Sequence, residues 1–270
     1  DRDNIIHLVL AKLPDAPPGA KGISLFLIPK ILVNDDGSLG DRNGVNCVSI
    51  EEKMGVHGSP TCVLSFEESL GYLVGEPHKG LEAMFSMMNN ERIAVGMQGL
   101  GVAEISYQNA LLYAKDRLQG RDLKGAKKPS EEADPLLVHP DIRRMLLRAK
   151  ALIDSSRMLS AWTALAIDKS VKDPDEKVRK ANNDLVELMT PIIKSILTDY
   201  GVEISSEMLQ IFGGHGYIRE YGMEQFYRDA RIAPIWEGTN GIQAMDLAGR
   251  KMPQGMGSCL LYTSDAADDP

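Results

Sequence analysis

Glu237 stands between a bulky Trp236 and a bare Gly238 in the stretch APIWEGTNGIQ, Ala233 to Gln243. A glutamate gains nothing from that setting as a solvated surface residue. The glycines, with Thr239 and Asn240, let the backbone turn tightly and come close to a ligand, and an indole beside a carboxylate removes water from it and so makes it more basic. Those are the needs of a general base that acts on a weak carbon acid. The same residues also suit an ordinary loop leading into a helix, so their types alone leave both readings open. No metal chemistry suggests itself: His7, His57, His78, His139 and His215 are dispersed and match no ligand spacing. Cys47, Cys62 and Cys259 form no CxxC pair and leave an odd one over, which reads as a reducing compartment with neither a disulfide framework nor a zinc site.

Two kinds of element lead up to this loop. Residues 1–75 alternate short β-branched or aromatic runs (NIIHLVLAKL, GISLFLIPKILV, CVSI, TCVLSFE) with turn signals such as PDAPPGAKG and NDDGSLGDRNG, the pattern of antiparallel strands joined by Pro, Gly and Asp turns. From Gly80 the period becomes helical, and a helix from Glu82 to Arg117 at about 1.5 Å per residue would span about 54 Å, a length that belongs to bundles. The polar stretch LQGRDLKGAKKPSEEADP reads as a solvated linker. A second helix begins at Pro140, where the missing N–H costs nothing, with an apolar stripe through Ile142, Leu146, Ala149, Ile153, Met158 and Trp162. A third is predicted from about Pro174 to Tyr200, kinked or broken at Pro191 and ended by Gly201, with a separate short helix over SSEMLQIF that stops at GGHG. The last element, NGIQAMDLAGRK, opens with Asn240 and has Gln243 three residues on, as in a capping box. Residues 253–270, PQGMGSCLLYTSDAADDP, have no helical period and read as foreign to the fold, which removes Cys259 from the redox argument.

With 270 residues and 43% hydrophobic content the chain can bury one large or two modest cores. A formal charge of -8 argues against nucleic acid or an anionic membrane as the main partner. The longest apolar stretch, ISLFLIP, is far short of a bilayer span. The start, DRDNIIHLVL, does not read as a signal peptide and lacks a methionine, as expected of a chain that begins inside something larger.

The order of these signals is more informative than any one of them. A strand-rich segment precedes a long helix that contains NNERIAVGMQGLG and ends YAKDRLQGR; a helical hairpin follows, then LQIFGGHGYIREYGMEQFYRDARIAPIWEGTNGIQ. Over residues 1–251 this resembles the flavin-dependent acyl-CoA dehydrogenases, most specifically in the blocks Gln210–Tyr217 and Arg228–Gln243, and the MMNNER form with GSPTC upstream resembles the larger bacterial branch that includes 3-methylmercaptopropionyl-CoA dehydrogenases. The resemblance implies a mainly α fold: a C-terminal antiparallel helical bundle preceded by the second half of an antiparallel β-domain. It implies a partial middle β-domain at 1–75, the helical domain at 76–252 and a non-native tail at 253–270, the whole being the C-terminal half of its parent.

The resemblance also implies a reaction, the conversion of an acyl-CoA thioester to a trans-2-enoyl-CoA, in which a base removes a proton at Cα while the hydride on Cβ leaves to FAD. Glu237 lies where the family's EGT base lies, and its own N–H is one donor to the thioester oxygen. Trp236 then walls the acyl pocket, with simple core packing as its alternative, Gly238 is a further substrate-binding residue, and Arg92 matches a CoA contact, with Asn89 standing where the family usually has an aspartate. Arg117 and Gln119 match the pair that reaches the FAD pyrophosphate of a neighbouring subunit, Gln210, Gly213 and Gly214 a second FAD contact, and Thr239 a hydroxyl at the flavin's phosphates. Taken alone, Arg117 is a cation at a helix C-terminus, GGHG a helix cap and Thr239 an N-cap. Some family members carry the base on the long helix, where Glu91 precedes Arg92 here; Glu237 is preferred because a glycine-flanked turn allows a closer approach than a helix surface, which leaves Glu91 as half of a local ion pair. The implied partners are an acyl-CoA, an electron-transfer flavoprotein and further copies of the chain, as a dimer or a dimer of dimers, in a bacterial cytoplasm with no membrane span and no metal. An acyl-CoA oxidase and a non-catalytic helical oligomerisation module stay open as alternatives.

Overall fold

The computed structural model describes residues 3–253, so that all but the first residue of the segment read as a foreign tail lies outside the described residues. The chain divides into two compact units, the first ending at Asn90 and the second beginning at Glu91.

In the first unit the runs of Val, Ile, Leu and Phe form short strands: β1 (Ile6–Lys12), β2 (Ile23–Pro29), β3 (Ile31–Val33), β4 (Leu39–Arg42), β5 (Val45–Ile50), β6 (Cys62–Phe66) and β7 (Tyr72–Val74). All pairings are antiparallel: β2 lies between β1 and β7, β3 pairs with β4, and β5 with β6. Buried polar side chains tie the turns to the strands. Asn43 donates from Nδ2 to the Pro29 and Leu70 carbonyls, both at 2.8 Å, and accepts from the Leu70 N–H at 2.8 Å. A buried amide with its groups satisfied in this way fixes one loop geometry.

The helices are α1 (Gly80–Asp116), α2 (Pro140–Lys172), α3 (Glu176–Ile211), α4 (Met223–Ala230) and α5 (Asn240–Asp246), the last running into a single π turn over Leu247–Lys251. The boundary between the units falls within α1. Three residues separate α2 from α3, so the two pack as an antiparallel hairpin, and Arg148 of α2 reaches both Glu203 and Glu207 of α3. The core of the second unit combines small residues of α1 (Ala103, Ala110, Ala114) with Met145, Ala149 and Ile153 of α2 and Ile193, Leu197, Ile204 and Met208 of α3. Each of the large, fully buried side chains contributes about 1.5–3 kcal/mol.

Three sequence expectations change. The third helix is neither broken at Pro191 nor ended at Gly201; α3 runs through both. Gly201 is a packing glycine: a Cβ there would stand 2.9 Å from the Gly99 Cα, so the residue that reads as a stop is where α1 and α3 touch backbone to backbone. The stripe of α2 leaves the core after Ile153, because the buried line continues through Ser156, Thr163 and Ala166, while Met158 and Trp162 face outward at 73% and 47% exposure. The linker after α1 is not simply solvated. Its Asp134 is fully buried and accepts backbone N–H bonds from Asp122, Lys127 and Lys128 at 3.0, 2.9 and 2.7 Å, folding the loop around itself. Burial pushes the Asp134 carboxyl up, but those three donors and Arg121 outweigh it and hold it down at about 2. Among the described residues no helix is long and apolar enough to cross a membrane.

Candidate active site

Glu237 sits on a turn that its sequence cannot hold cheaply. Its φ is +51°, a left-handed conformation in a residue with a Cβ, and Gly238 follows at +83°; the first costs about 1–2 kcal/mol. Outliers of this kind persist only where surrounding contacts fix them. Here the Asn240 N–H bonds the Pro234 carbonyl at 3.0 Å, and the fully buried Gln243 donates from Nε2 to the carbonyls of Gly238 at 3.0 Å and Glu237 at 3.4 Å. At φ +83° a side chain on residue 238 would be strained, and its Cβ would lie 2.7 Å from that Gln243 amide and push it off the turn, so the position favours glycine.

The turn presents Glu237 and Trp236 to a cavity of about 240 Å³ that is also lined by Glu91, Ala94, Val95 and Gln98 of α1. The cavity therefore holds both candidate carboxylates. Glu91 is exposed and, contrary to its expected role in a local ion pair, makes none among the described residues; it faces the cavity instead. Two donors near the carboxylate have no partner among the described residues: the buried Trp236 Nε1 and the Glu237 N–H. Arg92 lies beneath the turn, 5% exposed, with its guanidinium 3.5 Å from Asp246, which also pairs with Arg250. Asn89, one turn earlier on α1, is exposed and belongs to the first unit. Thr239 is exposed and caps α5, accepting the Ile242 N–H at 3.4 Å.

A second cavity, of about 430 Å³, collects five of the residues matched to FAD: Arg117, Gln119, Gln210, Gly213 and Gly214. Asp134 organises its rim, since the Gln119 N–H bonds the Asp134 carbonyl at 2.9 Å and Asp134 in turn bonds the Gly120 carbonyl at 2.9 Å. Sequence reasoning missed its aromatic wall. Tyr113 stacks on Phe212 with centroids 4.0 Å apart, its hydroxyl is 2.8 Å from His215 Nδ1, and His215 stacks on Tyr221 at 4.5 Å. Only the spacing of Tyr113 and Arg117, four apart on one helix, carried a hint of it. Gly213 has φ +58°, and a Cβ at either Gly213 or Gly214 would meet nothing within 4 Å, so the backbone there faces open space. An exposed guanidinium and two exposed amides, beside glycine backbone that leaves room for a ligand to approach, suit a pyrophosphate, and the residues present thus fit FAD. Thr239 is not part of this cavity.

The chain matches the family model described as acyl-CoA dehydrogenase, C-terminal domain, over residues 78–252. It is 48% identical over 250 residues to a 3-methylmercaptopropionyl-CoA dehydrogenase of Ruegeria pomeroyi and 40% identical over 257 residues to a butyryl-CoA dehydrogenase of Syntrophomonas wolfei, covering 93% and 92% of this chain. It spans 42% of the length of each of these relatives. Among solved structures it superposes on a butyryl-CoA dehydrogenase from Megasphaera elsdenii with a TM-score of 0.67 at 29% identity, over 90% of this chain and 55% of that one. Both the fold of the bundle and the sequence that builds its two cavities are thus those of a known group: the chain belongs to the acyl-CoA dehydrogenase family.

Proposed function

We propose that the protein carrying this chain dehydrogenates an acyl-CoA thioester to the trans-2-enoyl-CoA, with Glu237 as the base. The observation that carries this reading is the strained turn that holds Glu237 beside Trp236 at the mouth of an α1-lined cavity. An acyl chain in that cavity would displace water from the carboxylate, and the Glu237 N–H, which has no partner among the described residues, would donate to the thioester oxygen as negative charge develops on it. Glu237 then takes the Cα proton, while Arg92 and Gly238 fix the floor of the site. Bound FAD supplies the two-electron acceptor for the Cβ hydride. The cavity around Arg117, Gln119, Gln210, Gly213 and Gly214 would hold its pyrophosphate, with Arg117 and Gln119 serving the FAD of a second copy. The outward apolar residues of α2, among them Leu147, Met158, Trp162 and Leu165, suit the burial that such an assembly needs. An electron-transfer flavoprotein is the proposed acceptor of the electrons.

The test is anaerobic reduction of the flavin in the full-length protein by a panel of acyl-CoA thioesters, with 3-methylmercaptopropionyl-CoA and butyryl-CoA among them. Removal of a general base costs about 10²–10⁴-fold, so Glu237→Gln is expected to abolish bleaching at least a hundredfold while ligand still binds, and Glu91→Gln to do far less. The reverse pattern would move the base to α1. A colourless full-length protein that takes up no FAD would favour the oligomerisation module, for which the outward face of α2 also speaks.

A further inference from the structure

Building on the reading of Glu237 as the base, we propose that Lys194 is a positioning residue for it: a buried ammonium, tied to the first residue of α5, that holds the Glu237 turn against α3 and supplies the counter-charge that keeps the carboxylate in its pocket. Lys194 has no exposed surface, although it sits in the middle of α3 and carries a charge. Its Nζ donates to Asn240 Oδ1 at 2.9 Å, and among the described residues it is bonded to no carboxylate. Asn240 passes the link on, its Nδ2 donating to Asp199 Oδ1 at 2.8 Å and Thr198 Oγ1 at 3.1 Å. The residue three places after Glu237 is thereby clamped to α3 through both ends of its amide.

A buried cation with a single neutral oxygen as partner is costly unless carboxylates lie near it. The charged groups that act on Lys194 are Asp199 on its own helix, Arg92 of α1 and Glu237 of the turn; Asp246 of α5 engages Arg92. Burial pushes the ammonium down to about 8, against the pull of Asp199, with Arg92 adding to the depression and Glu237 opposing it. The cation is therefore present at neutral pH and lost in mildly alkaline solution. Once it is lost, the only cation left under the turn among the described residues is Arg92, which Asp246 already engages, so the Glu237 carboxylate stands against an indole with less counter-charge, on a left-handed turn released from part of its clamp, and water becomes the better place for it.

The coupling can be measured without turnover. With ε-carbon-labelled lysine, the Lys194 signal in the flavin-free full-length protein, assigned from its loss in Lys194→Met, is titrated by NMR. Glu237→Gln is expected to lower the midpoint by about half a pH unit or more, since an opposite charge has been taken from the ammonium's surroundings; an unmoved midpoint overturns the proposal. In the flavin-loaded full-length protein, the rate at which acyl-CoA reduces the flavin is expected to fall about tenfold as pH rises through the Lys194 transition. In Lys194→Met, which removes a buried charge and should fold, as should Lys194→Gln, the rate is expected to be low and free of that transition. Lys194→Arg keeps the charge and is expected to restore part of the rate. A Lys194→Met or Lys194→Gln enzyme that is as fast as wild type at neutral pH, or that keeps the wild-type transition, overturns the role. Undiminished reduction by Glu237→Gln would overturn the base reading and with it the role of Lys194 in the reaction, while the NMR coupling would stand.

Discussion

Two glycines two residues apart on α1 should respond to the same substitution with opposite signs. Gly99 lies where α1 crosses α3: a Cβ there would stand 2.4 Å from the Leu197 carbonyl oxygen, 2.8 Å from its carbon and 2.9 Å from the Thr198 Cα. These are backbone atoms, so no side chain can rotate away, and the helices must part by about 1 Å to reach ordinary contact. Overpacking typically costs about 1–3 kcal/mol, and rigid backbone neighbours put this case at the upper end. Alanine returns about 1 kcal/mol through helix propensity, which leaves Gly99→Ala about 2 kcal/mol less stable. A Cβ on Gly101 would meet nothing within 4 Å, so Gly101→Ala is expected to gain about 0.5–1 kcal/mol. Urea unfolding of the two variants should separate their midpoints by about 1 M if the slope is near 3 kcal/mol per M. The consequence reaches the site, because Val95, Ala94 and Gln98 line the Glu237 cavity one turn away from the crossing. Equal stabilisation of both variants would refute the backbone contact between α1 and α3.

Further outcomes follow from single groups. Glu237→Gly removes a side chain from a left-handed position and should raise stability by about 1 kcal/mol in a thermal melt while abolishing flavin reduction. Lys194 has a lower pKa in the folded chain than its ordinary 10.5, so the unfolded chain binds more protons between about 8 and 10.5, and the penalty, full below 8, is relieved as pH rises through that window; relative to Lys194→Met, the wild type should gain about 3 kcal/mol across it, read from urea unfolding at each pH. Asp134 is the opposite case: its depressed carboxyl stabilises the fold above about 4, and that contribution is lost as pH falls toward 2, so Asp134→Asn should be less stable at neutral pH and show a weaker acid transition by circular dichroism.

The sequence was most legible where a local pattern and its tertiary use coincide. Antiparallel strands between Pro, Gly and Asp turns, a helix of bundle length from Gly80, and Pro140 at a helix start were all open to a reader of the chain, because each depends on neighbours in sequence. It was least legible where a residue's local preference is overruled from a distance. Gly201 looks like a stop and is a contact, since only the partner Gly99 gives it that use. Met158 and Trp162 look like core and face outward, since the small buried residues Ser156, Thr163 and Ala166 carry the packed line of α2. Asp134 reads as one charge among many in a polar linker, and only its burial turns it into the organiser of that loop.

The candidate site divides in the same way. The motif residues Trp236, Glu237 and Gly238 could be picked out by type, whereas Lys194 of α3 carries no local mark, and Asn240 and Gln243, which read as a capping box, instead bond α3 and the turn while Thr239 caps α5. The relation of Glu91 to Glu237 was the least accessible of all, because sharing a cavity is a property of the α1–turn packing and of nothing near either residue. That relation also bears on the proposed choice between them. Glu91 lies exposed on a helix surface, whereas Glu237 is half-buried beside Trp236, so an apolar chain that fills the cavity would leave Glu237 the less hydrated of the two. A weak base becomes able to attack a C–H bond by losing that hydration, and on this ground the proposed base is the carboxylate on the turn.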